Sequence, residues 1–308
     1  MSKIEVSNLN FEYPGKLALQ NASFSIEAQS ITALVGPNGA GKTTLMNCMA
    51  ALARPISGKV LVDGIDIMKD PRKYHIKLGY LPDFFGLYDE LTVRQCLKYL
   101  GRAHHIKDED IPLCVERTAE LVQIEEYLDK KVKHLSRGLR QRVAIGQTLI
   151  HDPEILLLDE PSAGLDPEAR YHFSNLLLKL CRDGKTIVVS SHILSELEDY
   201  ATHLLVLRDG KVLAHSKISH IKMSDKRKLI LTLAEPVEEL ISQLEGFELV
   251  EEVEGEGLRF QFSFCGDSHA QHLLLKSFLD NGIPACGLSE LVTDLQEVYV
   301  KKYSGQSN

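Results

Sequence analysis

Apolar and polar residues fall along this chain in short stretches of two periods. Residues 3–13 alternate, with Ile4, Val6, Leu9 and Phe11 apolar, as a half-buried strand does. Ser30–Val35 is apolar and β-branched, then breaks into the glycine-rich Gly36–Gly41, and the residues from Lys42 predict a helix opening. Residues 58–67 predict a hairpin that turns at Asp63-Gly64. From 90 to 150 the spacing turns helical. Two continuous apolar runs follow, Ile155–Leu158 and Thr186–Val189, with helical spacing over Pro167–Arg182 between them. Short runs apolar on both faces and separated by helices are what a parallel sheet covered on both sides requires. A further hairpin turns at Asp209-Gly210.

The polar segment Ser216–Lys228 reads as a linker. Beyond it a smaller pattern begins. Leu229–Leu233, Leu258–Phe264 and Pro284–Leu288 predict strands, and Val237–Leu244, Ala270–Asp280 and Asp294–Tyr303 predict helices. Two β-α-β units of this kind suggest a small α+β domain with a ferredoxin-like arrangement as the candidate. Phe260, Phe262 and Phe264 alternate as one buried strand face would, and Leu273, Leu274 and Leu275 can pack against it. The expected division is a first domain over 1–217, with a helical subdomain at about 85–150, and an accessory domain over 229–308. The second domain holds no catalytic motif; a passive stabiliser of the fold is one reading, and a dimerisation or regulatory module is the expected one, because tethering raises the effective concentration of cores that must reassociate.

A length of 308 residues accommodates about two such domains. The net charge of -8, from 35 basic and 43 acidic residues, argues against nucleic acid as a partner, because phosphate binding leaves a basic footprint. The N-terminus shows no basic stretch followed by an apolar run, so no signal peptide is expected. Nowhere do about 18 consecutive apolar residues appear, so no helix spanning a bilayer is expected. The six cysteines lie far apart without a Cys-x-x-Cys pair, which predicts reduced, mostly buried thiols rather than a zinc site. His104 and His105 are adjacent, so on a helix they point apart and do not form a metal pair. The acidic run Glu251–Glu256 reads as a solvated hairpin face.

The chemistry concentrates in two motifs. Gly36-Pro37-Asn38-Gly39-Ala40-Gly41-Lys42-Thr43, followed by Thr44, fits the phosphate-binding loop in full. Glycines let successive N–H groups curl inward, the following helix adds its positive end, and lysine supplies a point charge. Lys42 is therefore the candidate for the β and γ phosphates, and the Thr43 hydroxyl a candidate magnesium ligand. The second motif is the apolar strand Ile155–Leu158 ending in Asp159-Glu160. Carboxylates there emerge at the sheet edge where open α/β folds bind ligands. Asp159 is the candidate metal ligand, and Glu160 the candidate general base for water.

Between these motifs lies Leu135-Ser136-Arg137-Gly138-Leu139, and after them Pro161–Pro167 and Ser190-Ser191-His192. In that order the set resembles the nucleotide-binding domain of ABC transporters, over residues 3–215. The resemblance implies a phosphate-loop ATPase core: a parallel sheet, an antiparallel β subdomain and a helical subdomain. It implies ATP and Mg2+ as cofactors. Tyr13 takes the place of the aromatic that stacks on adenine. Ser136 and Gly138, within the signature Leu135–Leu139, take the places that contact the γ-phosphate held by the opposite subunit. Asp166 takes that of the D-loop aspartate, and His192 that of the histidine on the γ-phosphate. One phosphate loop and one signature face different partners, so a dimer, of two copies or of paired ATPase subunits, completes each site.

Two departures stand out. Arg137 and Leu139 replace the first glycine and the glutamine of the family's usual Leu-Ser-Gly-Gly-Gln, and Asp83 stands where its Q-loop glutamine ligates magnesium. A carboxylate ligates magnesium too, with an added negative charge. Both departures are similar to those of drug-efflux-type ABC ATPases and of subunits serving polysaccharide, antibiotic, sodium or copper-enzyme maturation systems. The expectation is thus an ATP-hydrolysing subunit at the inner face of the cytoplasmic membrane, driving a separate permease, for export. Rival readings are an importer subunit, a non-transport ABC ATPase of translation or DNA-repair type, and a nucleotide-holding regulatory module. Translation factors usually carry two such domains and repair ATPases a long coiled coil, and Glu160 with His192 argues for turnover.

Overall fold

The computed structural model describes residues 2–191, 193, 196–219, 227–237 and 239–290. The chain divides into two compact units, Met1–Lys217 and Ile218–Asn308. The first opens with the antiparallel pair β1 (Ser2–Tyr13) and β2 (Lys16–Glu27), which joins β4 (Ser57–Val62) and β5 (Ile65–Asp66) in the order β2-β1-β4-β5. The β4–β5 turn forms at Asp63-Gly64, both with positive φ, as a tight hairpin turn needs.

A second sheet runs in the order β10-β9-β3-β8-β7-β6. It comprises β3 (Ile31–Val35), β6 (Leu78–Leu81), β7 (Ile155–Leu158), β8 (Thr186–Ser191), β9 (His203–Arg208) and β10 (Lys211–Lys217). All of these pair in parallel except the edge strand β10. Every residue of β3, β7 and β8 is buried, which explains why their sequences are apolar on both faces. Register then fixes the geometry that matters. Val35 pairs with Ser191, Leu158 with Val189, and Leu81 with Leu158. The carboxyl ends of β3, β8, β7 and β6 therefore reach one edge together. Gly36–Gly41, Asp159-Glu160 and Asp83 leave the sheet from that edge, where ligands bind in open α/β folds.

Helix α1 (Lys42–Met49) follows β3, and the short α2 (Pro71–His75) precedes β6. The helical subdomain holds α3 (Val93–Ala103), α4 (Ile111–Val122) and α5 (Arg137–Leu149). A reciprocal capping box of Thr92 and Gln95 starts α3, and Ser136 caps α5. Asp166 caps α6 (Pro167–Arg182) by accepting the Ala169 N–H at 2.8 Å, which satisfies a donor the helix leaves open.

Strand β2 was not legible from the alternation, and its burial shows why. Its buried residues are Leu19, Ala22 and Ile26, a spacing that reads as helical. The register against β1 shifts between Leu9 and Phe11, and Asn8 and Asn21 both have positive φ. Bulges of this kind break the period of two. Burial of the cysteines also differs from expectation: only Cys48 and Cys96 are buried, and Cys286 is exposed. Strand β14 (Ala285–Glu290) carries that last thiol on a sheet edge, where its side chain has few covering neighbours.

In the second unit, β11 (Arg227–Leu233), α7 (Leu240–Leu244), β12 (Val250–Glu256), β13 (Arg259–Phe264), α8 (Ser268–Asp280) and β14 follow one another. The antiparallel sheet runs β12-β13-β11-β14. This is the ferredoxin-like split β-α-β arrangement. Phe260, Phe262 and Phe264 form one buried face. Of the three leucines only Leu274 is buried and Leu273 is half exposed; Phe278, one turn on, packs with it. The helix period chooses that pair. The expected helix Asp294–Tyr303 lies outside the described residues. The expected start of α7 at Val237 moves to Leu240, behind Glu239 in a left-handed conformation at φ 55°.

His104 stacks on His151 with ring centroids 3.6 Å apart and planes 4° from parallel. Burial, and then the neighbouring His104, hold His151 down at about 4. The folded chain therefore binds this proton later than the unfolded chain as pH falls, and stability is lost between the usual histidine range near 6.5 and 4. We expect His151→Asn to flatten the unfolding midpoint against pH in that window, measured by thermal denaturation.

Candidate active site

The loop after β3 is built around two conformational demands. A Cβ on Gly36 would run into the carbonyl oxygen of Leu207. Gly41, at φ 105°, caps α1 without a side chain. A helix start with no side-chain cap keeps its first-turn N–H groups for an anion. Within the loop, Ala40 donates its N–H to Pro37 O at 3.1 Å. The Lys42 ammonium is buried and donates to the Gly36 carbonyl at 2.8 Å. It lies 3.6 Å from Glu160 Oε1. The lysine is thus fixed at the loop's centre with its charge beside the carboxylate.

A cleft of about 310 Å³ opens over this loop. Its walls include Tyr13, Asn38, Gly39, Thr43, Asp83 and Glu160, with Pro37, Gly41, Lys42 and Thr44 also lining it. Tyr13 stands on the rim, half exposed, with its hydroxyl sharing a hydrogen bond of 3.4 Å with Thr44 Oγ1. Phe11 meets the Tyr13 ring edge to face at 5.0 Å. Gly36 and Ala40 are buried behind the loop rather than lining the cleft. Lys16 and Ala18 of β2 line it as well. Sequence reasoning missed them because β2 itself was not recognised.

The acidic pair is held by β8. Ser190 Oγ donates to Asp159 Oδ1 and accepts the Glu160 N–H, the latter at 2.9 Å. Glu160 sits at φ 48°, a left-handed conformation that a non-glycine residue adopts only when its surroundings enforce it. Asp159 is fully buried, and among the described residues its Oδ2 has no hydrogen-bond partner. A buried carboxylate oxygen without a donor is costly and is the oxygen that a hard cation would satisfy. Burial, then the negative charges of Asp159 and Asp83, push the Tyr80 phenol above its usual range. Both carboxylates thus act on one point. Among the described residues no three His, Cys, Asp or Glu side chains form a metal cage. Magnesium in phosphoryl-transfer sites needs only one or two carboxylates, the rest coming from substrate oxygens and water.

The signature does not join this cleft: none of Leu135–Leu139 lines it. Ser136 caps α5, accepting the Leu139 N–H at 3.4 Å. Asp166 likewise serves as a helix cap. His192 lies outside the described residues. The structure therefore gathers the phosphate loop, Asp83, Asp159 and Glu160 in one place and keeps Ser136 and Gly138 elsewhere on the chain.

A family profile described as ABC transporter matches residues 19–163. The ABC transporter ATP-binding protein NatA of Bacillus subtilis is 34% identical over 210 residues, 68% of this chain and 85% of that protein. The bacitracin transport ATP-binding protein BcrA of Bacillus licheniformis is 28% identical over 304 residues, 98% of this chain and 97% of its own. A dimeric post-hydrolysis ATP-binding cassette solved with ADP and Pi is 27% identical with a TM-score of 0.64, covering 70% of this chain and 98% of that one. The chain belongs to the ABC transporter ATP-binding family. It is an ATPase and serves as the ATP-binding subunit of a transporter.

Proposed function

We propose that two copies of this chain, or one copy and a paired ATPase subunit, hydrolyse Mg2+-ATP beneath a separate membrane-spanning permease. The observation that carries this reading is the convergence of Lys42, Thr43, Asp83 and Glu160 on one cleft, with the unpartnered Asp159 oxygen behind it. Among the described residues no helix is long and apolar enough to cross a membrane; the membrane path is assigned to a partner on the likeness to ATP-binding proteins of transporters. The departures at Asp83, Arg137 and Leu139, similar to those of drug-efflux-type ABC ATPases, support export and a cytoplasmic position against the membrane.

In this reading the first-turn N–H groups of α1 and the Lys42 ammonium hold the β and γ phosphates. Tyr13 on the rim stacks on the base. Thr43, Asp83 and Asp159 would hold magnesium, which when bound neutralises the charge that develops on the phosphates. Glu160 takes the proton of the attacking water, its backbone held by the bond from its N–H to Ser190 Oγ. Ser136 and Gly138 complete the site on the other chain, whereas His192 is assigned to the γ-phosphate beside Glu160 of its own chain. The second unit, with its own core of Phe262, Phe264 and Phe278, is assigned to dimerisation or regulation.

Asp83 links chemistry to the partner. Its neighbour Phe84 is 93% exposed and lines a separate groove of about 400 Å³ with Leu52, Pro82, Phe85 and Leu100. An apolar side chain so exposed calls for a covering surface, which we assign to the permease. Asp83→Ala is expected to raise the magnesium concentration for half-maximal ATPase activity several-fold, and to lower permease-stimulated turnover more than ATP affinity. A magnesium titration of the purified subunit, followed by co-purification with the permease and stimulated ATPase assays, tests both. An unchanged magnesium dependence with full stimulation removes Asp83 from these roles.

A further inference from the structure

Arg137, the residue that departs from the usual signature, opens α5 and reaches out of it. Its Nη2 donates to the Ala163 carbonyl at 3.1 Å. The guanidinium lies over Gly164, where a Cβ would overlap it and where φ is 73°. Ala163 in turn donates its own N–H to the Glu160 carbonyl at 3.2 Å. One turn further along α5, Gln141 is buried and its Nε2 donates to Pro161 O at 2.7 Å. The loop after Glu160 is also gripped from its far side: Arg170 Nε donates to Leu165 O at 3.1 Å, and Ser162 Oγ to Glu196 at 2.7 Å. The backbone leaving Glu160 is thus tied to the signature helix of its own chain.

We propose that Arg137 is a positioning residue for Glu160, acting through Ala163, and that it couples the two nucleotide sites of the dimer. The proposal rests on the two-chain site described above. Ser136 and Gly138 flank Arg137 and face the phosphate held by the other chain. Any displacement of the first turn of α5 as it grips that phosphate is passed through Arg137 to the turn that bonds Glu160 in the same chain. One residue then reports ATP in one site to the base of the other, which is a coupling free energy between sites. Arginine suits the task because its planar guanidinium lies flat on Gly164 while donating, which a glycine at this position lacks entirely.

The test is steady-state hydrolysis by the full chain, with ATP affinity measured separately. Arg137 is exposed, so its variants keep the fold, and unfolding midpoints check this. Arg137→Ala should lower kcat about tenfold with KM and affinity unchanged, the size of one charge-assisted hydrogen bond. Its Hill coefficient should fall towards one, and Arg137→Lys should recover most of the rate. Gly164→Ala should lower kcat as well, and the double variant should be no slower than the slower single one. Unchanged kcat in Arg137→Ala, or losses that multiply in the double variant, overturns the proposal. So does a raised KM with kcat intact, which would place Arg137 on the phosphate itself. ATP-driven dimerisation of a Glu160→Gln chain reports on the two-chain site separately. Failure there removes that reading and the coupling with it, whereas dimerisation beside multiplied losses removes the Arg137 proposal alone.

Discussion

Glu160→Gln is expected to bind ATP as the unaltered chain does and to hydrolyse it about a hundredfold to ten-thousandfold more slowly. The substitution keeps the side chain's size and leaves its N–H bonded to Ser190 Oγ, so the strained backbone at φ 48° retains its support. What is lost is the basic oxygen, since an amide takes no proton from water. The Lys42 ammonium also loses the carboxylate 3.6 Å away. That leaves a buried cation whose counter-charge must come from the nucleotide, so ATP affinity should hold or rise. With ATP trapped, two chains should stay joined through Ser136 and Gly138. Light scattering with ATP and magnesium, against ADP, reads the dimer, and phosphate release reads the rate. Hydrolysis at the original rate would take Glu160 out of the role of base.

The parts of this site that the sequence displayed are those whose chemistry is local. The phosphate loop needs a glycine pattern, a lysine and a strand–helix context, all within one segment, and each can be read without knowing the fold. Asp159-Glu160 was legible because β7 is apolar on both faces and ends abruptly in two charges. The role of Ser190 was not, although it bonds the Asp159 carboxylate and the Glu160 backbone N–H, because its bonds span thirty residues and depend on β8 lying beside β7. Lys16 and Ala18 escaped for another reason: bulges opposite Asn8 and Asn21 destroyed the period that would have announced β2. Arg137 was visible only as a departure from a motif. Its partner Ala163 lies twenty-six residues away on a loop that folds back onto α5. In the second unit, β11, β13, β14 and the two described helices followed from periodicity, but β12 did not, since its acidic run read only as a solvated hairpin face; the strand order β12-β13-β11-β14 came only with pairing, since spacing carries no information about neighbours.

Lys42→Ala carries the largest expected loss of binding. The ammonium is buried and already desolvated, with the Gly36 carbonyl at 2.8 Å and Glu160 at 3.6 Å as its neighbours. The nucleotide therefore meets a cation fixed in place, whose hydration has been removed during folding rather than during binding. Removing it costs ATP at least one charge-assisted hydrogen bond to phosphate, worth about 1.5–3 kcal/mol, and the unscreened charge attraction on top. It also removes the ammonium that lies 3.6 Å from Glu160, so the repulsion between that carboxylate and the γ-phosphate is less offset. We expect ATP affinity to fall at least about a hundredfold, on the order of 3 kcal/mol, with turnover lost. The backbone of Gly36–Gly41 should be unaffected, because its turns are set by the Leu207 and Ala18 carbonyls that exclude any Cβ at Gly36 and Gly41. Adenosine, which has no phosphate, separates the two contributions: its weak binding on the Tyr13 side should be the same in both chains. Calorimetry with ATP and adenosine decides the matter. An unchanged ATP affinity would mean that Lys42 is a strut of the loop and does not bind phosphate.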